Sequence, residues 1–362
     1  MPHILHVIGA RPNFMKVAPV ISALQEYHDF NQTLIHTGQH YDANMSDIFF
    51  DQLGLPKPDI NLNVGSASHA VQTAEIMVKC ERTFLEQKPD MVLVYGDINS
   101  TVAAALVCAK LQISVSHVEA GLRSFDRTMP EEVNRLITDQ LSDLLFTPSE
   151  DANENLRNEG IAAHKIHLVG NVMIDTLVRL LPQAHDHWNK YWGHLGAKQY
   201  GLVTLHRPSN VDEPNQLKDL LTVLNKINKM IPLIFPVHPR TRKYINDYNL
   251  GHLVRNLQLI DPLGYIEFLA LEQYAAIVVT DSGGVQEETT YLGVPCLTMR
   301  ENTERPVTVK LGTNKLIGKD IGLLEDQITQ ILAAPQHQST KPPLWDGQAS
   351  KRIAAVVVNM HL

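Results

Sequence analysis

The chain has 362 residues, 44% hydrophobic and 19% charged, with a formal net charge of −8. That length exceeds one ordinary domain and fits two of Rossmann size, and the excess of acid argues against non-specific binding to nucleic acid or to an anionic membrane. No stretch approaches the roughly 20 apolar residues of a membrane span, and residues 3–9 are too short for a signal peptide core. A cytoplasmic location is therefore expected.

The predicted elements alternate. Residues 3–9 (HILHVIG) read as a strand, and 13–27 as a helix with Pro12 in its first turn. Then come a strand at 32–37, a helix at 69–87, a strand at 91–95 (MVLVY) and a helix at 100–111. A strand at 113–118 (ISVSHV), a helix at 131–142, a strand at 143–147 and a helix at 150–158 follow. Short β-branched runs alternating with amphipathic ones imply a parallel sheet covered on both faces. The rhythm breaks over 170–198, which holds Pro182, His185, His187 and two tryptophans; this stretch reads as the interdomain segment. It resumes with strands at 201–205, 232–236, 257–260, 276–280 and 295–298, and helices at 214–230, 265–273 and 284–292. The expected domains are 1–170 and 171–347, with the C-terminal residues 348–362, helical over 348–359, packing back on the first. The fold class is α/β, two Rossmann-like domains with parallel sheets facing a central cleft. Open α/β sheets bind ligands beyond the carboxyl ends of their strands, so residues just after strands are the candidates.

Gly9 to Lys16 (GARPNFMK) closes a strand and opens a helix, with Arg11 and Lys16 flanking backbone amides that suit a phosphate. The three spaced glycines of a dinucleotide fingerprint are absent. Asp281 to Glu288 (DSGGVQEE) is a second such junction. Ser282 can cap the helix, Gly283 and Gly284 admit a ligand close to backbone amides, and Glu288 lies within reach of a ribose. Asp97 and Glu119 leave neighbouring strands at one sheet edge. Glu131 and Glu132 open a helix, with Arg135 one turn on. Carboxylates beside cations are what proton transfer at carbon requires, although acids also favour any first helical turn. His206 follows the first strand of the second half, where it can hydrogen-bond a leaving group. The other histidines lack metal-ligand spacing, and Cys80, Cys108 and Cys296 lie far apart, as buried thiols of a reducing compartment do; no metal and no cofactor are expected.

Together these motifs resemble the non-hydrolysing UDP-N-acetylglucosamine 2-epimerase family. The resemblance runs through GARPNFMK, TGQHYD (37–42), GDINSTVAAAL (96–106), HVEAGLRS (117–124), MPEEVNR (129–135), HRPSNVD (206–212), DPLGYIEFL (261–269), TDSGGVQEE (280–288) and LGVPCLTMRENTERP (292–306). It implies a glycosyltransferase-B-like fold, a homodimer, and UDP held mainly by the second domain. It implies that UDP-N-acetylglucosamine and its manno epimer interconvert by loss and re-addition of UDP through a 2-acetamidoglucal, within polysaccharide biosynthesis. Carried over by residue, Asp97, Glu119 and Glu131 look like the acid–base carboxylates with Arg135 as their partner, and His206 like the cleft histidine. Arg11 and Lys16 look like phosphate and substrate contacts, and Ser282, Gly283 and Glu288 like diphosphate and ribose contacts. The chain departs from the family at Asn13, where Glu is frequent, and at Leu205, where Gly often precedes the histidine. It keeps Gln39 and His40 of the allosteric element but lacks that element's later arginine, so weak or absent activation by UDP-N-acetylglucosamine is expected. An epimerase of UDP-2,3-diacetamido-2,3-dideoxyglucuronic acid is the nearest alternative. A UDP-sugar-dependent glycosyltransferase, a hydrolysing epimerase and a non-catalytic sensor are rival readings, and the carboxylate set argues against the last.

Overall fold

The protein is described by a computed structural model covering residues 1–27, 30–39, 52–333 and 340–360. The chain forms two compact units, Met1–Val178 with Pro343–Leu362, and Arg179–Pro342.

The first unit is built on seven parallel strands: β1 (His3–Ile8), β2 (Asn31–His36), β3 (Ile60–Asn61), β4 (Met91–Tyr95), β5 (Ser114–Val118), β6 (Leu144–Thr147) and β7 (Ile166–Leu168). Their order in the sheet is β3-β2-β1-β4-β5-β6-β7. The chain therefore winds outward one way from β1 and then the other way from β4, and the sheet has its topological switch between them. Interior strands covered on both faces cannot alternate polar and apolar side chains, and all five residues of β4 are buried. Between strands run α1 (Arg11–Gln25), α2 (His69–Gln87), α3 (Asn99–Leu111), α4 (Pro130–Leu141) and α5 (Glu150–Asn158). Helix α2 starts where the Ser68 hydroxyl accepts from the Val71 amide at 3.4 Å and stops at Lys88, whose φ of 49° is left-handed.

The stretch 170–198, read from sequence as an interdomain segment, is mostly helical. Helix α6 (Val172–His187) carries Pro182 inside it and continues into a wide turn at Trp188–Trp192. The second unit holds β8 (Gly201–Thr204), β9 (Leu233–Pro236), β10 (Gln258–Ile260), β11 (Ile277–Thr280), β12 (Cys296–Thr298) and β13 (Asn314–Leu316), all parallel. Their order is β10-β9-β8-β11-β12-β13, which places a second switch between β8 and β11. Its helices are α7 (Pro208–Val211), α8 (Pro214–Ile227), α9 (Pro239–Asp247), α10 (Tyr265–Tyr274), α11 (Gly283–Leu292), α12 (Pro306–Lys310) and α13 (Ile321–Ala333). The last helix, α14 (Ala349–Asn359), packs against α1 in the first unit. Its first amides, of Ala349 and Ser350, donate to the Asp175 carboxylate at 3.0 and 2.7 Å. Trp345 donates its indole N–H to the Pro148 carbonyl at 2.9 Å. Both units are thus Rossmann-like. Among the described residues no helix is long and apolar enough to cross a membrane.

Candidate active site

In the first unit the loops that flank the switch are tied together by side chains. The Asn13 carboxamide accepts from the amides of Gly9 and Ala10, at 3.1 and 3.2 Å, and donates to the Tyr95 carbonyl at 2.9 Å. It thereby ties the β1–α1 turn to the end of β4. A Cβ on Gly9 would lie 2.2 Å from Ser100 Oγ and 2.5 Å from Thr37 Oγ1, so only glycine permits this convergence. Gln39 completes the packing, accepting from the Ser100 amide and hydroxyl at 3.0 and 2.7 Å. His40 lies outside the described residues, as does the side chain of Arg11.

Lys16 is buried one turn into α1, and its ammonium lies 2.6 Å from Glu119 Oε2. Glu119 is itself buried and has a φ of 75°. A non-glycine residue in that region carries strain of order 1–3 kcal/mol, the kind that surrounding structure must enforce and that clusters at functional sites. The same ammonium lies over Gly96, where a Cβ would approach it to 2.8 Å. The next residue, Asp97, pairs with the Arg135 guanidinium. Arg135 also binds Glu132 Oε2, at 2.7 and 3.1 Å. Glu132 is buried and accepts from the amides of Ser124 and Phe125 as well, both at 2.9 Å. Burial pushes its carboxyl up, but the bonds from Ser124 and Arg135 outweigh this and hold it below the usual carboxylate range. Glu131, its neighbour, is exposed on the first turn of α4. Asn134 on that helix donates to the Asp97 carbonyl at 2.9 Å.

A second layer holds the loops that carry these carboxylates. His117 presents both ring nitrogens to acceptors, the Gly96 carbonyl at 2.7 Å and Asp139 Oδ1 at 2.6 Å. Asp139 is fully buried, and its other oxygen takes the Gly121 amide at 3.1 Å and Arg123 at 2.7 Å. Burial raises the Asp139 carboxyl, and His117 and Arg123 more than reverse that. The network spans the two turns from which Asp97 and Glu119 leave their strands.

In the second unit the switch lies between the residues after β8 and those after β11. His206 and Asp281 stand there. The fully buried Asp281 carboxylate accepts from the amides of His206 and Arg207, at 3.0 and 2.9 Å, and from Asn210 Nδ2 at 3.0 Å. It also lies 3.0 Å from His206 Nδ1. Burial raises the Asp281 carboxyl, but the bonds from His206 and Asn210 prevail and leave it below its ordinary range. An ionised Asp281 fixes the proton on Nδ1, which makes Nε2 the ring nitrogen not engaged by it. The imidazole is partly exposed, at 42%.

Helix α11 starts at Gly283, after Ser282 in an extended conformation. The Ser282 hydroxyl makes no cap bond to the helix, contrary to the sequence reading; the Ser282 amide donates to Thr280 Oγ1 at 3.0 Å instead. A Cβ on Gly283 would lie 2.6 Å from Arg305 Nη1, and Gly284 is half-buried beside it. Arg305 pairs with Glu304 and with Glu287 Oε1, the latter at 2.8 Å. Glu288 is buried one turn further on and accepts the Tyr265 hydroxyl at 2.8 Å.

Sequence reasoning assigned no role to Asp281, Asp139, His117 or Arg305. Asp281 had a visible signal, a carboxylate directly after an apolar strand. For the others the telling partners are distant in sequence, as in His117 with Asp139 and Arg305 with Glu287. Among the described residues no group of three or more His, Cys, Asp and Glu is arranged to hold a metal.

A sequence model of the UDP-N-acetylglucosamine 2-epimerase family matches residues 22–358. A Methanococcus maripaludis UDP-N-acetylglucosamine 2-epimerase is 44% identical over 359 residues, 97% of each chain. A Pseudomonas aeruginosa UDP-2,3-diacetamido-2,3-dideoxy-D-glucuronate 2-epimerase is 43% identical over 360 residues, 99% of each chain. A crystal structure of the Methanocaldococcus jannaschii UDP-GlcNAc 2-epimerase, in complex with UDP-GlcNAc and UDP, superposes with a TM-score of 0.90. It is 42% identical, and the match covers 98% of this chain and 99% of that one.

Proposed function

The chain belongs to the UDP-N-acetylglucosamine 2-epimerase family, and from that premise we propose that it inverts C2 of UDP-N-acetylglucosamine without releasing free sugar. The reaction is an elimination. A carboxylate takes the C2 proton, the C1–O bond to UDP breaks, and a 2-acetamidoglucal remains. Re-addition of UDP at C1 and return of a proton to the opposite face of C2 give the manno epimer. The C2 hydrogen is weakly acidic, so the departing diphosphate must be stabilised as its charge develops.

We assign proton transfer to Asp97, Glu119 and Glu131, with Arg135 and Lys16 setting their charge. Lys16 and Arg11 contribute cationic contacts to the substrate. UDP is assigned to the second unit's switch, with the start of α11 at Ser282, Gly283 and Gly284 on the diphosphate, Glu288 on the ribose and His206 on the leaving group. What supports this most is Glu119, held buried at positive φ with Lys16 2.6 Å away. A strained, buried ion pair at the carboxyl end of a strand has little structural purpose. The homodimer and the cytoplasmic location belong to the same reading.

Chromatography of an incubation with UDP-N-acetylglucosamine tests it. One new nucleotide peak, the manno epimer, is expected. The 43% identity to the Pseudomonas enzyme favours one second reading, the diacetamido-uronic acid substrate. Inertness toward UDP-N-acetylglucosamine with turnover of that compound would select it.

A further inference from the structure

Glu272 lies on α10, seven residues and two turns from Tyr265, so both face the same side. That side packs on α11, which carries Glu288. Glu272 is fully buried, and neither of its carboxyl oxygens meets a hydrogen-bond donor. Among the described residues no lysine or arginine pairs with it. A carboxylate so placed would cost several kcal/mol if ionised. A neutral carboxyl group instead has an O–H to place, and its hydrogen-bonding neighbour is Glu288. The Glu288 carboxyl thus has two neighbours able to donate, Tyr265 and Glu272.

We propose that Glu272 is a positioning residue: kept neutral, it donates a hydrogen bond from its carboxyl O–H to Glu288, so that Glu288 ionises more readily and presents an oxygen to the two hydroxyls of a nucleotide ribose. This rests on the assignment of UDP to the second unit's switch. A carboxylate is the stronger acceptor for a diol, and a protonated Glu288 would lose that advantage.

The groups around the pair leave it to set the pH response. Burial pushes Glu288 up to about 7, against the hydrogen bonds of Tyr265 and Glu272 and with the charge of Glu287. Burial also holds Tyr265 and Tyr200 above the ordinary phenol range and pushes Cys296 up to about 12. All three stay neutral near pH 7. Glu287 is paired with Arg305. Nucleotide affinity should therefore rise as pH rises through about 7, as Glu288 gives up its proton.

Titration calorimetry with UDP across the neutral range tests this on the wild type, Glu272→Leu and Glu272→Gln. Leucine suits the apolar surroundings and should keep the thermal midpoint, but it removes the donor. The affinity–pH curve should move to higher pH, with about fivefold weaker binding at pH 7 for a rise of about one pKa unit from about 7. Glutamine keeps an N–H for Glu288 and should restore the wild-type curve. UDP's own ionisation is common to all three proteins. With 2′,3′-dideoxy-UDP, which lacks the diol, the wild type and Glu272→Leu should bind alike. A folded Glu272→Leu with the wild-type curve, a Glu272→Gln displaced as far as leucine, or an equal leucine effect on the dideoxy ligand would each overturn the proposal alone. A wild type that binds no UDP would overturn the nucleotide assignment and this inference with it.

Discussion

Asp281→Asn is the substitution that separates orientation from charge most cleanly in the second unit. The carboxylate takes two backbone amides, the Asn210 amide and His206 Nδ1, all at 2.9–3.0 Å, with no solvent exposure. Asparagine keeps one acceptor oxygen. Its NH2 replaces the other and must face donors: in place of Oδ1 it meets His206 Nδ1, and in place of Oδ2 it meets the His206, Arg207 and Asn210 donors. Hydrogen bonds to a charged group contribute about 1.5–3 kcal/mol each, and their loss is not additive. We expect a cost of about 3 kcal/mol. For a unit of this size that is about 2–4 °C per kcal/mol, or roughly 6–12 °C in the Tm of that unit. Asparagine also leaves His206 free to take its proton on either nitrogen, so turnover should fall by about 10²-fold or more while UDP affinity changes little. Calorimetric unfolding and initial rates read both effects. An unchanged Tm with undiminished turnover would show that Asp281 neither anchors the loop nor orients the histidine.

Three further perturbations follow from the same contacts. Lys16→Met keeps the length of the side chain but removes the ammonium beside buried Glu119; breaking a buried pair costs about 3–5 kcal/mol, so both denaturant midpoint and turnover should drop, and full activity would contradict the site. Gly170→Ala places a Cβ 2.1 Å from the Leu344 carbonyl oxygen at a φ of 88°, which should cost more than about 2 kcal/mol and speed proteolytic release of the C-terminal segment. Acid should unfold the protein in two stages. Burial holds His6 and His36 at about 4, so the unfolded chain takes up their protons first; stability is full above about pH 6.5 and declines as pH falls toward 4. Glu132, Asp139 and Asp281 sit below their ordinary values, so their contribution is full above about pH 4 and is lost below it. Stability that stayed flat between pH 7 and 5 would remove the histidines from this account.

Periodicity served best where strands are apolar throughout and helices amphipathic. Strands β4 and β11 and helices α2 and α5 lie within a residue of their sequence expectation. Helix α6 was hidden because Pro182 and paired histidines imitate a linker, while packing tolerates the proline's missing N–H. Strands β3 and β7, of two and three residues, are too short to show a period. In the site, position after a strand was the useful signal. It located Asp97 after β4 and His206 after β8, beside the two switches, and Glu119 after β5, the next strand to β4. Pairing was not legible. Glu131 and Glu132 stand four and three residues before Arg135, and either spacing allows contact; the fold turns Glu132 inward onto Arg135 and Ser124 and leaves Glu131 exposed. Glu272 reads as one polar residue in an apolar helix, and only the tertiary packing shows that it faces Glu288.

The measurement that bears most directly on the account is proton NMR of the purified protein with UDP-N-acetylglucosamine in deuterated water, with no added metal or nicotinamide. Elimination and re-addition predict the manno epimer with deuterium at C2 and no free sugar. Epimer that keeps its original C2 proton, or release of UDP with free N-acetylmannosamine, would contradict it.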